Sequence, residues 1–494
     1  MAAKGADATA TPVYSNGYKA AVLSLLLAAY TFNFIDRTIV STISQAIQVD
    51  LKVTNAQMGL LGGLYFALLY TFLGIPIARL AERKNRVTII TVSVVIWSGF
   101  TALCGTAANF AQLALYRFGV GVGEAGCSPP SHSLVSDYFP PKQRATALSV
   151  YSFGIPLGTM FGAVIGGWLA QNFSWRIAFV IVGLPGLLLA LILKTVVKEP
   201  PRGHSETETP ATAYVRPKFT LPSEIAELGK VTWSLFGAWP VLNMILGVTI
   251  ASFGSYGAGA FVPSYFIRAF HLDLASVGLI VGLVGGFSSG IGTLAGGFVT
   301  DWAGKHSPAW YALTPGIGLL ICTPIYIFAY LQPTWQGVAL LLLIPGIFHY
   351  TYLAPTFAVV QNSVPPHRRA TATALMFFFL NLIALGGGPP FTGWLIDQIA
   401  GYSFAHPQVH GVLDLATGAF TQGGGVDFNH VCPGGKAPKG AAAALVKACG
   451  STNAQASQAG IIISVCFYAW AGVHYLLGAI GLVKHMRIRA ANLG

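Results

Sequence analysis

The chain has 494 residues, of which 54% are hydrophobic and 9% charged, against roughly 25% charged in a soluble domain. So few charges cannot cover the surface of a water-soluble globule, and that class is excluded. The net charge of +12 does not point to nucleic acid either, because the basic residues sit in short breaks between apolar runs, where they orient a membrane protein.

In chain order, residues 1–17 form a polar tail without an apolar signal region, so the first span is expected to stay as an uncleaved anchor. Twelve runs then approach or exceed the length of about 20 residues that a helix needs to cross a bilayer. They fall at 18–47, 56–78, 87–107, 110–136, 145–171, 176–197, 238–267, 274–300, 309–330, 335–362, 369–398 and 461–484. The first six make an all-helical bundle over 18–197, and the last six make a second over 233–484. Between them, 198–232 is a polar, Pro-rich linker opening on Glu199-Pro200-Pro201, and Ser223–Phe236 predicts a short surface helix. The loop 399–460 is unusually long, with a short helix expected near Ala441–Lys447, and residues 485–494 end the chain as a second tail.

An even number of spans puts both termini on one side. With that side inside, and residues at the span ends counted with the segments they border, twenty Lys and Arg fall in inside segments, six in outside segments and two deep within spans. The asymmetry predicts a multi-pass protein of the cell membrane with both termini cytoplasmic. Cys432 and Cys449 then share the outer loop, face an oxidising compartment, and are a disulfide candidate. Cys104, Cys127, Cys322 and Cys466 fall within spans and are expected to pack as small apolar residues.

Two inside loops recur. Pro140-Pro141-Lys142-Gln143-Arg144-Ala145-Thr146-Ala147 is answered by Pro365-Pro366-His367-Arg368-Arg369-Ala370-Thr371-Ala372. Ala78-Arg79-Leu80-Ala81-Glu82-Arg83-Lys84-Asn85-Arg86 is answered by Gly297-Phe298-Val299-Thr300-Asp301-Trp302-Ala303-Gly304-Lys305. The copies keep their order at an offset of roughly 220 residues, the pattern of a duplicated membrane bundle with a central path between its halves.

Two motifs look catalytic. Gly286-Phe287-Ser288-Ser289-Gly290 matches a hydrolase nucleophile pattern and Gly121-Val122-Gly123-Glu124-Ala125-Gly126 a dinucleotide fingerprint. Both need a strand–turn–helix setting, and here each lies in an apolar helix where small residues let neighbours approach. The same reading covers Gly154, Gly158, Gly162 and Gly166. With no paired Cys/His spacing and no phosphate loop ending in Gly-Lys-Ser/Thr, no enzyme activity, cofactor or metal is expected.

Four charged residues sit deep in spans: Asp36 and Arg37 in the first, Arg117 and Glu124 in the fourth. Each costs about 2.5–3.5 kcal/mol at mid-membrane if left alone, so they are expected to face the protein interior or a wet cavity. Arg117, Gly121 and Glu124 share one helix face, and Asn33, Asp36, Arg37, Ser41 and Ser44 form a polar stripe on another. Two acids and two bases balance as a structural cluster. In the functional alternative, Asp36 and Glu124 carry protons while Arg37 or Arg117 holds an anionic head group. The second half offers Tyr256, His349, Tyr352, Phe377 and Asn381, an aromatic surface suited to an apolar tail or ring.

The loop signatures resemble those of the major facilitator superfamily. Residues 78–86 are similar to its Gly-x-Leu-Ala-Asp-Arg-x-Gly-Arg loop, with Ala78, Glu82 and Asn85 departing from it, and the second copy keeps Gly297, Asp301, Gly304 and Lys305. Arg117 with Gly121 matches the family's fourth-helix motif, and nearly the whole chain apart from the linker and outer loop is covered. Within the superfamily, Phe32-Asn33-Phe34-Ile35-Asp36-Arg37 with Arg117 and Glu124 resembles the spinster branch. That resemblance implies twelve transmembrane helices in two pseudo-symmetric six-helix bundles, alternating access, and proton-coupled movement of a lysolipid or sphingolipid. It assigns proton coupling to Asp36 and Glu124, with Arg37 and Arg117 as their partners or as substrate ligands; Asn33 on the same stripe is a further substrate-binding candidate.

The charged inner loops are expected to act as a latch. Glu82 or Arg83 would bridge to Arg144, and Asp301 to Arg368 or Arg369, with Arg86, Asp137 and Lys305 in the same gating set. The expected partners are protons, the lipid bilayer and a small-molecule or lipid substrate, with a monomer and no nucleic acid. Two alternatives remain: a proton-linked symporter of small organic anions or sugars, and a non-transporting membrane receptor or scaffold.

Overall fold

The computed structural model describes residues 14–81, 83–201, 204–205, 221–364, 369–423 and 427–493. Glu82 and Arg368 lie outside the described residues, while Arg144 and Arg369 stand on helices. Among the described residues, eleven helices are long and apolar enough to cross a membrane. The fourth span makes the twelfth crossing as a broken helix, and the described residues form an all-α, multi-spanning fold.

In the first half, α1 (Asn16–Thr42) and α2 (Ser44–Leu51) form one span, and α3 (Asn55–Gly62) and α4 (Leu64–Ala81) the next. They are followed by α5 (Arg86–Cys104), then α6 (Phe110–Glu124) and α7 (Ser128–Tyr138), then α8 (Pro141–Ser152) and α9 (Gly154–Asn172), and α10 (Trp175–Val196). The linker contributes α11 (Leu221–Phe236). The second half holds α12 (Trp239–Phe270), α13 (Leu274–Gly304), α14 (Trp310–Tyr330), and α15 (Trp335–His349) running through a tight turn into α16 (Leu353–Asn362). Then come α17 (Arg369–Phe379) and α18 (Gly386–Ala405), separated by a wide turn over 380–385. Beyond the short helices α19 (Val412–Gln422) and α20 (Phe428–Val431), the chain ends in α21 (Ala443–Ala479) and α22 (Leu482–Leu493).

Local chemistry sets many of the helix starts. Ser15, Asn85, Asn109, Ser174, Asp273 and Thr334 each accept a backbone N–H of the first turn, and Thr54 with Gln57 forms a reciprocal cap. The fourth span breaks at Ala125–Cys127 because Pro129 and Pro130 bring no backbone N–H to the ladder and sit in the first turn of α7 instead. The glycine stripe of α9 lies directly on α1, as the spacing predicts. Exposed Leu188, Leu191, Leu294, Phe328 and Trp470 form part of the apolar outer wall.

Several helix boundaries differ from the sequence reading. α12 continues to Phe270, α18 to Ala405, and α21 begins at Ala443, so the short helix expected near 441–447 is the first turn of a 37-residue helix. In the first two cases polar residues lie inside the helices, Arg268 and Asp397, and both find partners on the other half.

The two halves meet along a seam between α9 and α13 and another between α3 and α18. Backbones touch there: a Cβ on Gly278 would stand 2.3 Å from the Ala163 carbonyl oxygen, and one on Gly59 2.2 Å from that of Pro389. Both contacts lie toward the face that carries α19 and α20, here called the loop face. The opposite face, with Arg86 and Glu199, is the linker face.

Candidate functional site

The breaks in the first and fourth spans lie close to the buried charges. α1 ends at Thr42, shortly beyond Asn33, Asp36 and Arg37, and α6 ends on Glu124 itself. Asp36, Arg117 and Glu124 are each no more than 2% exposed. Arg37 donates from Nε to Glu124 Oε2 at 2.8 Å, with the Glu124 side chain fully enclosed and that of Arg37 17% exposed. Phe34, Phe66 and Tyr70 surround the Arg37 guanidinium at 5.0, 4.8 and 4.7 Å from their ring centres. Such faces stabilise a cation by roughly 0.5–2 kcal/mol.

Arg117 lies 5.3 Å from the same Phe66 ring, with its Nε 3.5 Å from the Leu61 carbonyl oxygen. Asp36 neighbours Arg117 and Thr101, and Asn33 stands beside Glu124. The four charges thus gather in the first half as one balanced cluster. Glu124 Oε1, an Arg117 terminal nitrogen and both polar atoms of the Asn33 amide are buried without a hydrogen-bond partner among the described residues. Such unmet groups in a low-dielectric interior are costly, and they favour an incoming polar group.

The Major Facilitator Superfamily model matches residues 26–404. This chain belongs to that superfamily. It is similar in structure to a bacterial homolog to the human lysosomal transporter spinster, solved in an inward-facing and unoccupied conformation. The identity is 33% and the TM-score 0.78, over 96% of this chain and 99% of that one. The hexuronate transporter of Bacillus subtilis is 29% identical over 81% of this chain and 93% of its own length. The sphingosine-1-phosphate transporter of Mus musculus is 25% identical over 77% and 70%. The protein is therefore a multi-pass secondary transporter of the spinster-like kind, and its catalytic-looking motifs lie within or at the end of the helices α13 and α6.

The second half of this facilitator divides the residues singled out in its sequence. Tyr256 lies near Arg37 from across the seam. His349 and Tyr352 belong to a separate, enclosed group, in which the His349 ring stacks obliquely near Tyr350, Tyr352 and Tyr468 with centres 4.5, 5.6 and 4.4 Å away. The Tyr352 hydroxyl shares a hydrogen bond with Ser252 at 3.1 Å, and His349 Nε2 is buried without a partner among the described residues. Phe377 packs against Phe357 with ring centres 5.1 Å apart, and Asn381 is buried in the wide turn of the eleventh span.

Among the loop charges, Arg86 is fully buried and donates to Asp137, to Glu199 Oε1 at 2.6 Å and to Ser133 at 2.8 Å. This knot ties the third and fourth spans to the linker, all on the first half. Asp301 accepts a hydrogen bond from the Tyr311 hydroxyl at 3.1 Å, and Lys305 caps the end of α13. Cys432 and Cys449 form a disulfide. The sequence reading missed the Phe66 and Tyr70 rings on Arg37. Their spacing of four residues on one helix face was the available signal.

Proposed function

We propose that this transporter carries an anionic amphipathic molecule, of the lysolipid or sphingolipid kind, in step with protons. The observation that carries the reading is the Arg37–Glu124 pair, which is shut off from lipid, ringed by aromatic faces and left with one open carboxylate oxygen. Protonating Glu124 removes the charge that holds Arg37. A cation left in that enclosure attracts an anion strongly, because a low-dielectric site tolerates little net charge. Proton and substrate anion therefore favour each other's binding. Asp36 with Arg117 repeats the same chemistry beside it, and Asn33 lends its free amide to the head group.

Phe34, Phe66, Tyr70 and Tyr256 offer apolar surface next to the anion site, with Phe377 further along, which suits a tail better than a sugar ring. The likeness to a hexuronate transporter supports the alternative, a proton-linked symporter of small organic anions. Both relatives are named for anions, which is the chemistry that Arg37 and Arg117 serve. The basic residues of the linker face support cytoplasmic termini in a cell membrane. The halves would then rock about the cluster, with Asp301, Lys305 and the arginines of the repeated loops latching the inner side.

The test is pH-driven uptake into proteoliposomes. Asp36→Asn and Glu124→Gln are expected to abolish the response to a proton gradient while the purified protein keeps its thermal unfolding profile. Coupling that survives in both variants would make the acids structural. Competition between a lysophospholipid and hexuronate for wild-type binding separates the two substrate classes.

A further inference from the structure

Across the seam on the loop face lies a polar cluster that uses neither Asp36 nor Glu124. Arg268, 7% exposed near the end of α12, donates to Gln45 Oε1 at 2.6 Å, Ser457 Oγ at 2.7 Å, Asn55 Oδ1 at 2.9 Å and also to Gln48 Oε1. Asn55 in turn gives its amide N–H to Asp397 Oδ1 at 2.8 Å. Asp397 also accepts the backbone N–H of Asn55 at 3.2 Å and of Ala56 at 2.8 Å, so a carboxylate of the second half caps the first turn of α3 in the first half. Ser44 and Ser264 add a 2.9 Å bond between the same two spans.

The distribution of charge is informative. Both ions, Arg268 and Asp397, belong to the second half, and the first half supplies neutral amides. A seal of this kind closes the face with charge-assisted bonds yet contains no ion pair to be torn apart. When the halves separate, each ion exchanges its amide partners for water, and α3 keeps its own Thr54–Gln57 cap. An ion pair across the seam would cost more to open.

Above this cluster, the long loop is pinned to its own half. The Cys432–Cys449 disulfide joins it to α21, and Phe428 packs on Phe404 with ring centres 5.8 Å apart. From that base a Gly434-Gly435 turn, at φ +65° and +76°, reaches over to the other half. A Cβ on Gly434 would stand 2.6 Å from the Gln48 carbonyl oxygen and 3.1 Å from the Val49 Cα. Asn453 supports the turn from beneath, donating to the Gly435 carbonyl oxygen at 3.3 Å. The turn therefore presses on α2, the helix that carries Gln45 and Gln48.

We propose that Arg268 and Asp397, with Gln45, Gln48 and Asn55, form the outer gate of the transport cycle, and that the disulfide-pinned 427–436 turn is a strap that holds this gate shut. The proposal rests on the alternating-access reading above, but on neither the cargo nor its proton coupling. Each outward opening must lift the strap from α2 and hydrate Arg268 and Asp397.

The test is hydrogen–deuterium exchange of the full chain in nanodiscs without substrate, which reads the conformational equilibrium whatever the cargo. Arg268→Met is expected to raise exchange over residues 44–58 at least about tenfold, since it removes the charge-assisted hydrogen bonds to Gln45, Gln48 and Asn55 and a single such bond already accounts for about tenfold. Cys432→Ser with Cys449→Ser is expected to do the same to a smaller degree, while α5 and α10 near the linker face stay as in the wild type. Should the double serine variant not fold, a membrane-impermeant phosphine reductant on the wild type supplies the same comparison. Unchanged exchange over 44–58 in both cases overturns the proposal. A rise spread equally over both faces also overturns it, since the cluster and disulfide would then only stabilise the fold.

Discussion

Replacing Glu124 by Gln removes the negative charge from Arg37 but keeps an oxygen where Oε2 accepts the Arg37 Nε–H at 2.8 Å. Two unit charges about 4 Å apart attract by about 4 kcal/mol at an effective dielectric of 20. The full desolvation of Glu124 offsets much of this, leaving about 1.5–3 kcal/mol, as for other hydrogen bonds to charged groups. A substrate anion competing for Arg37 must overcome that amount in the wild type and not in the variant. The expected gain in anion affinity is therefore about ten- to a hundredfold. The assay is calorimetric binding of a short-chain alkyl phosphate to purified protein over a pH series. Wild-type affinity should rise as pH falls and level off, and Glu124→Gln should start near that level and respond far less to pH. A variant that keeps the wild-type slope, or binds tenfold more weakly, refutes the reasoning.

Removing Arg86 leaves Asp137 and Glu199 without their buried cation, so Arg86→Ala is expected to destabilise the protein by about 3–5 kcal/mol, read as a lowered Tm in detergent. Gly278→Val places side-chain carbon against the Ala163 carbonyl oxygen, where even a Cβ would stand at 2.3 Å. The loop face then cannot close, and uptake should fall at least tenfold with unchanged membrane expression. Asp273 starts α13 and accepts the Ser276 backbone and side-chain hydrogens, which hold its carboxyl below the usual carboxylate range. Its stabilisation is present above the ordinary carboxyl pKa and is lost as pH falls through the lowered folded value. Asp273→Ala should cost about 1 kcal/mol at neutral pH, and the difference from wild type in thermal stability should shrink in acid.

Much of this was legible before any coordinates. Composition and run length sufficed for a helical membrane protein, since about 20 apolar residues with few charges have no other stable home. The charges of the first and fourth spans stood out because an ion in a bilayer must have a reason. The stripe from Gly154 to Gly166 foretold a close helix contact, and the structure puts α1 there.

What the chain could not reveal by itself was which groups meet across the two halves. Arg268 reads as the end of a span and Asp397 as the last charged residue of another, because hydropathy along the chain treats a charge as a boundary. Inside the fold both are helix-interior residues, since Gln45, Gln48, Asn55 and the first amides of α3 arrive from elsewhere to satisfy them. The same limit hid the Tyr70 ring on Arg37 and the Gly434 turn on α2. Local sequence determines how a helix starts, breaks and faces lipid. Long-range packing alone decides whether a buried polar group is paid for by a neighbour hundreds of residues away.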